Sequence, residues 1–257
     1  MRNGEPVRYR ARVAYLGTFF RGWQVQKNAD RTVQAVLEAA LSRVEGGGGP
    51  VRAVAAGRTD TGVHADGQVV HFDLSGARDP DSLVPAINAS LPWDIRVLRV
   101  DRAAPDFHAR RDAAWKDYLY RWNREPVVLP TLALFTAPLS PRADASRMRA
   151  AAERLAGERD FGVFGVRSSR QGGSTVRQLH FVRISERGGE LRALFRGDAF
   201  LRGMVRSMCG VLADVSRGRV PPGRVDELLR TGDRRLLSQK APALGLTLVR
   251  VSYRDGS

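Results

Sequence analysis

The segment VRAVAAGRTDTGVHADGQVVHFDL, residues 51–74, holds two apolar stretches, 51–56 and 68–74, either side of a polar, glycine-hinged connection. The flanks read as strands. The loop between them, Gly57 to Gly67, is long for joining adjacent strands, and loops of that size commonly carry function. Gly57, Gly62 and Gly67 permit sharp turns and close approach of another chain or ligand. Asp60 lies at the centre, with Arg58 two residues before it. In an extended segment residues i and i+2 project to the same side, so the guanidinium can sit beside the carboxylate, keep it ionised and fix its direction. An ionised, oriented aspartate serves as a nucleophile or a general base. An aspartate that only braces a turn through nearby backbone amides has the same sequence signature.

Outward from this loop the chain alternates between two periods. RYRARVAY (8–15) places Tyr9, Ala11, Val13 and Tyr15 on one side, as a half-buried strand does. From Thr32, a suitable N-cap, Val33, Val36, Leu37, Ala40, Leu41 and Val44 recur at helical spacing until Gly46–Pro50 ends the run. LVPAINA (83–89) reads as a short helix, and DIRVLRV (94–100) and KDYLYRW (116–122) read as strands. The four prolines of 125–141 mark a crossing connection. Beyond it come a helix around 145–156 and the strands LHFVRIS (179–185) and ELRALFRG (190–197), joined at Gly188–Gly189 as a hairpin. A helix from about Leu201 to Arg217 follows, then another after Pro221–Pro222, and LTLVRVSY (246–253) closes the chain as a strand. The repeated order predicts an α+β protein of two subdomains, 1–105 and 106–257, with the boundary near residues 104–108.

The 257 residues are 43% hydrophobic and 27% charged, which suits a globular chain with a sizeable core and neither a disordered tail nor a membrane protein. No stretch approaches 18 uninterrupted apolar residues and the first residues hold no run suited to a signal peptide, so the expected location is cytoplasmic. Cys209 is the only cysteine, which excludes an internal disulfide and a Cys-rich zinc cluster. Lys and Arg number 42 against 27 acidic residues, a formal net charge of +15, and only Lys27, Lys116 and Lys240 are lysine. GC-rich codon usage accounts for the preference for arginine over lysine; the net charge points to a large anionic partner. His64, Asp66, His71 and Asp73 invite a metal reading, but the first two belong to the loop, the other two to the strand, and no third histidine or cysteine has ligand spacing.

GRTDTGVHA (57–65), followed by QVVHFDL, resembles the signature of the tRNA pseudouridine synthase A family. YLGTFFRGWQVQ (15–26), TVQAVLEAAL (32–41), FHARRDAAWKDYLYRW (107–122), FLRGMVRSMCGVL (200–212) and APALGLTLVRVSY (241–253) agree with it in order, so the likeness spans nearly the whole chain. The resemblance implies two α/β subdomains around a mixed, mainly antiparallel sheet with a basic central cleft. It implies a homodimer acting on the tRNA anticodon stem-loop, where uridine at tRNA positions 38, 39 and 40 becomes pseudouridine. It makes Asp60 the nucleophile and Tyr118 the residue that contacts the target uracil. Before Tyr118 the stretch RDAAWKD (111–117) departs from the more basic segment of many relatives, and Asp117 there argues against local RNA contacts but not against the role of Tyr118.

That isomerisation adds no atoms and changes no oxidation state, so no cofactor is expected. Tyr118, Tyr120 and Trp122 alternate onto one face, where an aromatic core stripe is the plain reading for the latter two. Extruding a stacked base costs a few kcal/mol, and Arg58 is the candidate to fill the vacated space, with pairing to Asp60 as its competing role. Arg202 and Arg206, four apart on a predicted helix, share a face; Arg206 is a candidate partner for Asp60, and a solvated face explains both equally simply. Leu246 is either the floor of the uracil pocket or core. Two other classes stay open: a non-catalytic RNA-binding protein, and a metal-dependent phosphodiesterase using His64, Asp66 and His71.

Overall fold

The computed structural model describes residues 5–26, 30–46, 49–166 and 173–254. These gather into two compact units, one of the residues up to Ala114 with those from Leu248 onward, the other Trp115–Thr247.

The first unit opens with β1 (Pro6–Tyr15), α1 (Val33–Glu45), β2 (Val54–Ala55), β3 (His64–Ser75), α2 (Pro80–Asn88) and β4 (Ile95–Arg102). Alternation in β1 buries Tyr9, Ala11, Val13 and Tyr15 and turns Arg8, Arg10 and Arg12 outward. β1 lies antiparallel between β3 and β4, with Tyr9 opposite Phe72 on one side and Arg102 on the other. Helix α1 begins where the Thr32 hydroxyl accepts from the Ala35 amide and ends at Gly46, whose φ of 74° closes a left-handed cap. Val33, Leu37, Ala40 and Leu41 form its buried stripe.

The second unit carries β5 (Ala113–Asn123), α3 (Pro130–Ala133), β6 (Ala137–Pro138), α4 (Ala145–Glu153), β7 (Gly157–Asp160), β8 (Val176–Arg187), β9 (Glu190–Gly197), α5 (Met204–Ser216) and α6 (Arg224–Thr231). Its strand order is β5–β9–β8–β7, antiparallel throughout, and β6 pairs parallel to β5. Gly188 and Gly189, at φ 52° and 77°, make the two-residue hairpin between β8 and β9 that the sequence predicts. Helix α5 is buried almost all round, Cys209 included, and burial pushes that thiol's pKa well up. The last strand, β10 (Leu246–Tyr253), lies beside β3. The expected mixed, mainly antiparallel α+β architecture is present. Among the described residues no helix is long and apolar enough to cross a membrane.

Three details differ from the expectations. Only Val54 and Ala55 of the stretch 51–56 pair as a strand, whereas β3 starts at His64 and so takes in the end of the long loop. Gly67 is therefore a strand residue. A Cβ there would stand 2.4 Å from the Val249 carbonyl oxygen, so glycine is needed for β10 to approach, not for a turn. The helix expected from Leu201 begins at Met204, because Gly203 at φ 73° breaks the helical path. Arg202 thus sits in the preceding turn, its carbonyl accepting from the Val166 amide, and does not share a helix face with Arg206. Strand β7, Gly-Glu-Arg-Asp, has no apolar alternation by which to be recognised.

Candidate active site

Asp60 lies half-buried in the bend that leads into β3. The residue before it, Thr59, is buried, and its hydroxyl shares a 2.9 Å hydrogen bond with the phenol of Tyr15. The Gln68 amide nitrogen donates to the Gly57 carbonyl at 2.8 Å and to the Tyr15 oxygen at 3.3 Å. Gly57 and Thr59 are therefore both anchored, one on each side of Arg58. Burial pushes the Tyr15 phenol up to about 12, against the hydrogen bonds from Thr59 and Gln68, so it stays a neutral hydroxyl. After Asp60 the chain folds back, the Val63 amide donating to the Asp60 carbonyl at 3.1 Å.

Residues 15–26, with Arg31, form a cradle under this loop. The Trp23 amide donates to the Thr59 carbonyl at 3.1 Å, and the Gly17 amide donates to Nδ1 of His64 at 3.2 Å. A Cβ at Gly17 would fall 1.9 Å from the Val63 carbonyl oxygen. One at Gly22, already at φ +85°, would fall 2.9 Å from that of Thr59. The motif YLGTFFRGWQVQ thus needs its glycines so that two backbones can touch. The cradle is pinned in turn by Arg31, which forms a bidentate pair with Asp94 at 2.7 and 2.8 Å and donates to the Phe19 carbonyl at 3.2 Å. Tyr15, Gln68, Gly17, Gly22, Arg31 and Asp94 were not foreseen as site residues. The signal available was Gln68, an amide directly before the apolar pair Val69–Val70.

Arg58 is exposed, and among the described residues no hydrogen bond or ion pair joins it to Asp60. Thr59 between them is buried, and the turn follows at Thr61–Gly62. His64 and His71 each use Nδ1 to accept a backbone amide, from Gly17 and from Ala109 at 3.1 Å. Asp73 is paired with Arg8 at 2.8 and 2.9 Å, which holds its carboxyl below the usual range. Among the described residues no three His, Cys, Asp or Glu side chains converge.

In the second unit Tyr118 lies opposite Phe195 on β5, buried, with its ring edge-on to Phe200 at 5.0 Å. Tyr120 and Trp122 are core, ring centres 4.5 Å apart, and the Tyr120 hydroxyl donates to the Pro242 carbonyl. Asp117 is held by both arms of Arg196 at 2.7 Å. Nε of Arg206 donates to the Ala241 carbonyl at 2.9 Å, and the Ala241 amide returns a bond to the Arg206 carbonyl. Leu246 is buried at the start of β10.

The family profile described as tRNA pseudouridine synthase matches residues 11–112 and 151–254. Those stretches contain Arg58, Asp60, Arg202, Arg206 and Leu246; Tyr118 lies between them. Proteins named tRNA pseudouridine synthase A are similar along almost the whole chain. That of Listeria monocytogenes is 41% identical over 250 residues, covering 96% of this chain and 99% of its own. That of Thermus thermophilus is 40% identical over 242 residues, 94% of each chain, and that of Chlamydia trachomatis is 37% identical over 244 residues, 94% of this chain and 90% of its own. With the profile matched on both sides of the Asp60 loop and full-length relatives at this identity, the chain belongs to the tRNA pseudouridine synthase family of isomerases.

Proposed function

We propose that this chain converts uridine to pseudouridine in the anticodon stem-loop of tRNA, at tRNA positions 38, 39 and 40, with Asp60 as the nucleophile. The observation that carries the reading is the seating of Asp60: a carboxylate on a loop whose backbone is tied down on both sides by a buried Tyr15–Thr59–Gln68 network. A group held this way loses little freedom when it attacks, which favours covalent catalysis. In the reaction the bond from uracil N1 to ribose C1′ breaks, a bond from C5 to C1′ forms, the C5 proton leaves to solvent, and N1 takes up a proton in its place. Tyr118 supplies the aromatic wall against which the freed uracil turns and takes part in removing that proton. Arg58, exposed beside Asp60, enters the space the target base vacates. Arg206 and Arg202 serve as cationic contacts and Leu246 as pocket floor. The working form is a cytoplasmic homodimer, and no cofactor takes part.

Tritium release from tRNA labelled at uridine C5 tests the reading. Pseudouridine formation must free the label, whereas an RNA-binding protein leaves it in place and a phosphodiesterase cuts the strand without releasing it. Label retained during incubation with active-concentration enzyme refutes the proposal.

A further inference from the structure

Phe19 and Trp93 stand out of the surface at 42% and 67% exposure, their rings edge to face with centres 5.4 Å apart. Packing does not require them there. Phe20, the next residue, is buried beneath the cradle, so this turn already contributes one ring to the core and presents another to water. Trp93 sits in the turn between α2 and β4, whose own bonds are made without its indole: the Ile95 amide donates to the Pro92 carbonyl, and Arg96 donates to the carbonyls of Leu91, Pro92 and Ile95.

Both rings are nonetheless held firmly. Arg31 donates to the Phe19 carbonyl and pairs bidentately with the Asp94 carboxylate, so one guanidinium ties the Phe19 backbone to the side chain of the residue that follows Trp93. The same turn meets the catalytic loop: Gly17, two residues before Phe19, abuts Val63, and Gly22, three residues after it, abuts Thr59. Arg21 on this turn and Arg58 on the catalytic loop are exposed.

We propose that Phe19 and Trp93 form a stacking shelf for an unpaired base of the substrate RNA, with Arg21 contacting its phosphate; the inference rests on the RNA reading of the Asp60 site. Rigid aromatic faces beside arginines are what a splayed-out base meets in single-stranded RNA recognition. Two rings fall far short of the roughly 800 Å² per partner of a stable protein interface. The formal charge of +15 attracts a polyanion to such a surface. Stacking needs only a π-face, so the shelf accepts any of the four bases and loses its grip on a nucleotide without one.

The test measures stem-loop affinity and the single-turnover rate at saturating RNA for the wild type and for Phe19→Ala, Trp93→Ala and Trp93→Phe. Each alanine variant should bind about tenfold more weakly with its saturated rate within about twofold of wild type, and Trp93→Phe should bind nearly as wild type. Trp23 and Trp122 are buried and Trp115 is half-buried under the Arg196 guanidinium, so indole quenching on RNA binding should be strong in the wild type and much reduced in Trp93→Phe. Abasic substitution along the unpaired loop should reveal one position at which wild type and Trp93→Ala bind equally. Equal affinities with no quenching overturn the shelf, as does an affinity difference that survives every abasic substitution. Quenching that grows with protein concentration in the absence of RNA overturns it in favour of a contact between copies. Failure of the isomerase reading is separate: it appears as retained tritium in the wild type, whatever the binding data show.

Discussion

Thr59 and Asp60 are neighbours with opposite surroundings, and the difference makes the site. Thr59 turns inward to the Tyr15 hydroxyl, and that anchor fixes the backbone that carries Asp60. Replacing Asp60 by Asn keeps its size and removes the proposed nucleophile. Asp60→Asn should abolish tritium release while RNA affinity changes by less than about tenfold, roughly 1.4 kcal/mol, since a carboxylate attracts no polyanion. Turnover within a factor of ten of wild type would exclude the assigned role. Arg58 has no bond to Asp60 among the described residues, and in the proposed reaction it acts on the RNA. A planar guanidinium stacks on bases and bonds phosphate together; an ammonium does not. Arg58→Lys should therefore be nearly as impaired as Arg58→Ala on an intact stem-loop, and partly rescued on one loosened by a mismatch beside the target, where the extrusion cost is already removed. Equal defects on both RNAs in single-turnover kinetics would return Arg58 to the chemistry of Asp60.

At the scale of elements, the cradle and β3 act as a single support for the loop. Gly17→Ala would force a methyl group to within 1.9 Å of a backbone oxygen, which no side-chain movement relieves. It should lower the melting temperature and reduce turnover by at least about tenfold, while Gly173→Ala, where a Cβ meets nothing within 4 Å among the described residues, should be neutral in both assays. Strand β3 also holds the segment at Ala109 through Nδ1 of His71, which must be unprotonated to accept that amide. Burial, with the charges of Arg8 and His108, lowers the His71 pKa from 6.5 to about 4. Its contribution to stability is present above pH 6.5 and lost as the pH falls toward 4, because the unfolded state then binds the extra proton. The urea midpoint should fall over that window, and His71→Asn, which keeps an acceptor but does not titrate, should flatten the fall. These supports were only partly legible in the sequence. Helix α1, the glycine hairpin and Tyr120–Trp122 as core follow from local periodicity and turn chemistry. Gly67 looked like a hinge because its need for space arises from β10, distant in sequence, and Gly17 and Gly22 became intelligible only once Val63 and Thr59 lay against them. Arg202 and Arg206 shared a face on an ideal helix, but the left-handed Gly203 separates them.

For the whole molecule the question is what the excess of arginine does. Several arginines are committed to buried acids: Arg31 to Asp94, Arg121 to Glu190 and Arg196 to Asp117. Such pairs neutralise themselves and add nothing to the field outside. The 42 cations nevertheless exceed the 27 acids, and that surplus cannot be satisfied within the chain. Codon usage explains why the cations are arginine; it does not explain why they outnumber the acids. If the surplus serves a polyanion, binding must displace the counterions condensed on RNA, and the affinity must fall linearly on a log–log plot against salt. Titration of stem-loop RNA at a series of ionic strengths should give a slope steeper than about −2, the value expected when more than two or three phosphates are neutralised. A shallower slope would mean that the surplus is scattered over the surface and tracks no backbone. The shelf adds a finer term: Arg21→Ala should reduce the magnitude of the slope by about one, as loss of a single phosphate contact does, whereas Trp93→Ala should weaken binding equally at every salt concentration, because a stacked base releases no ions.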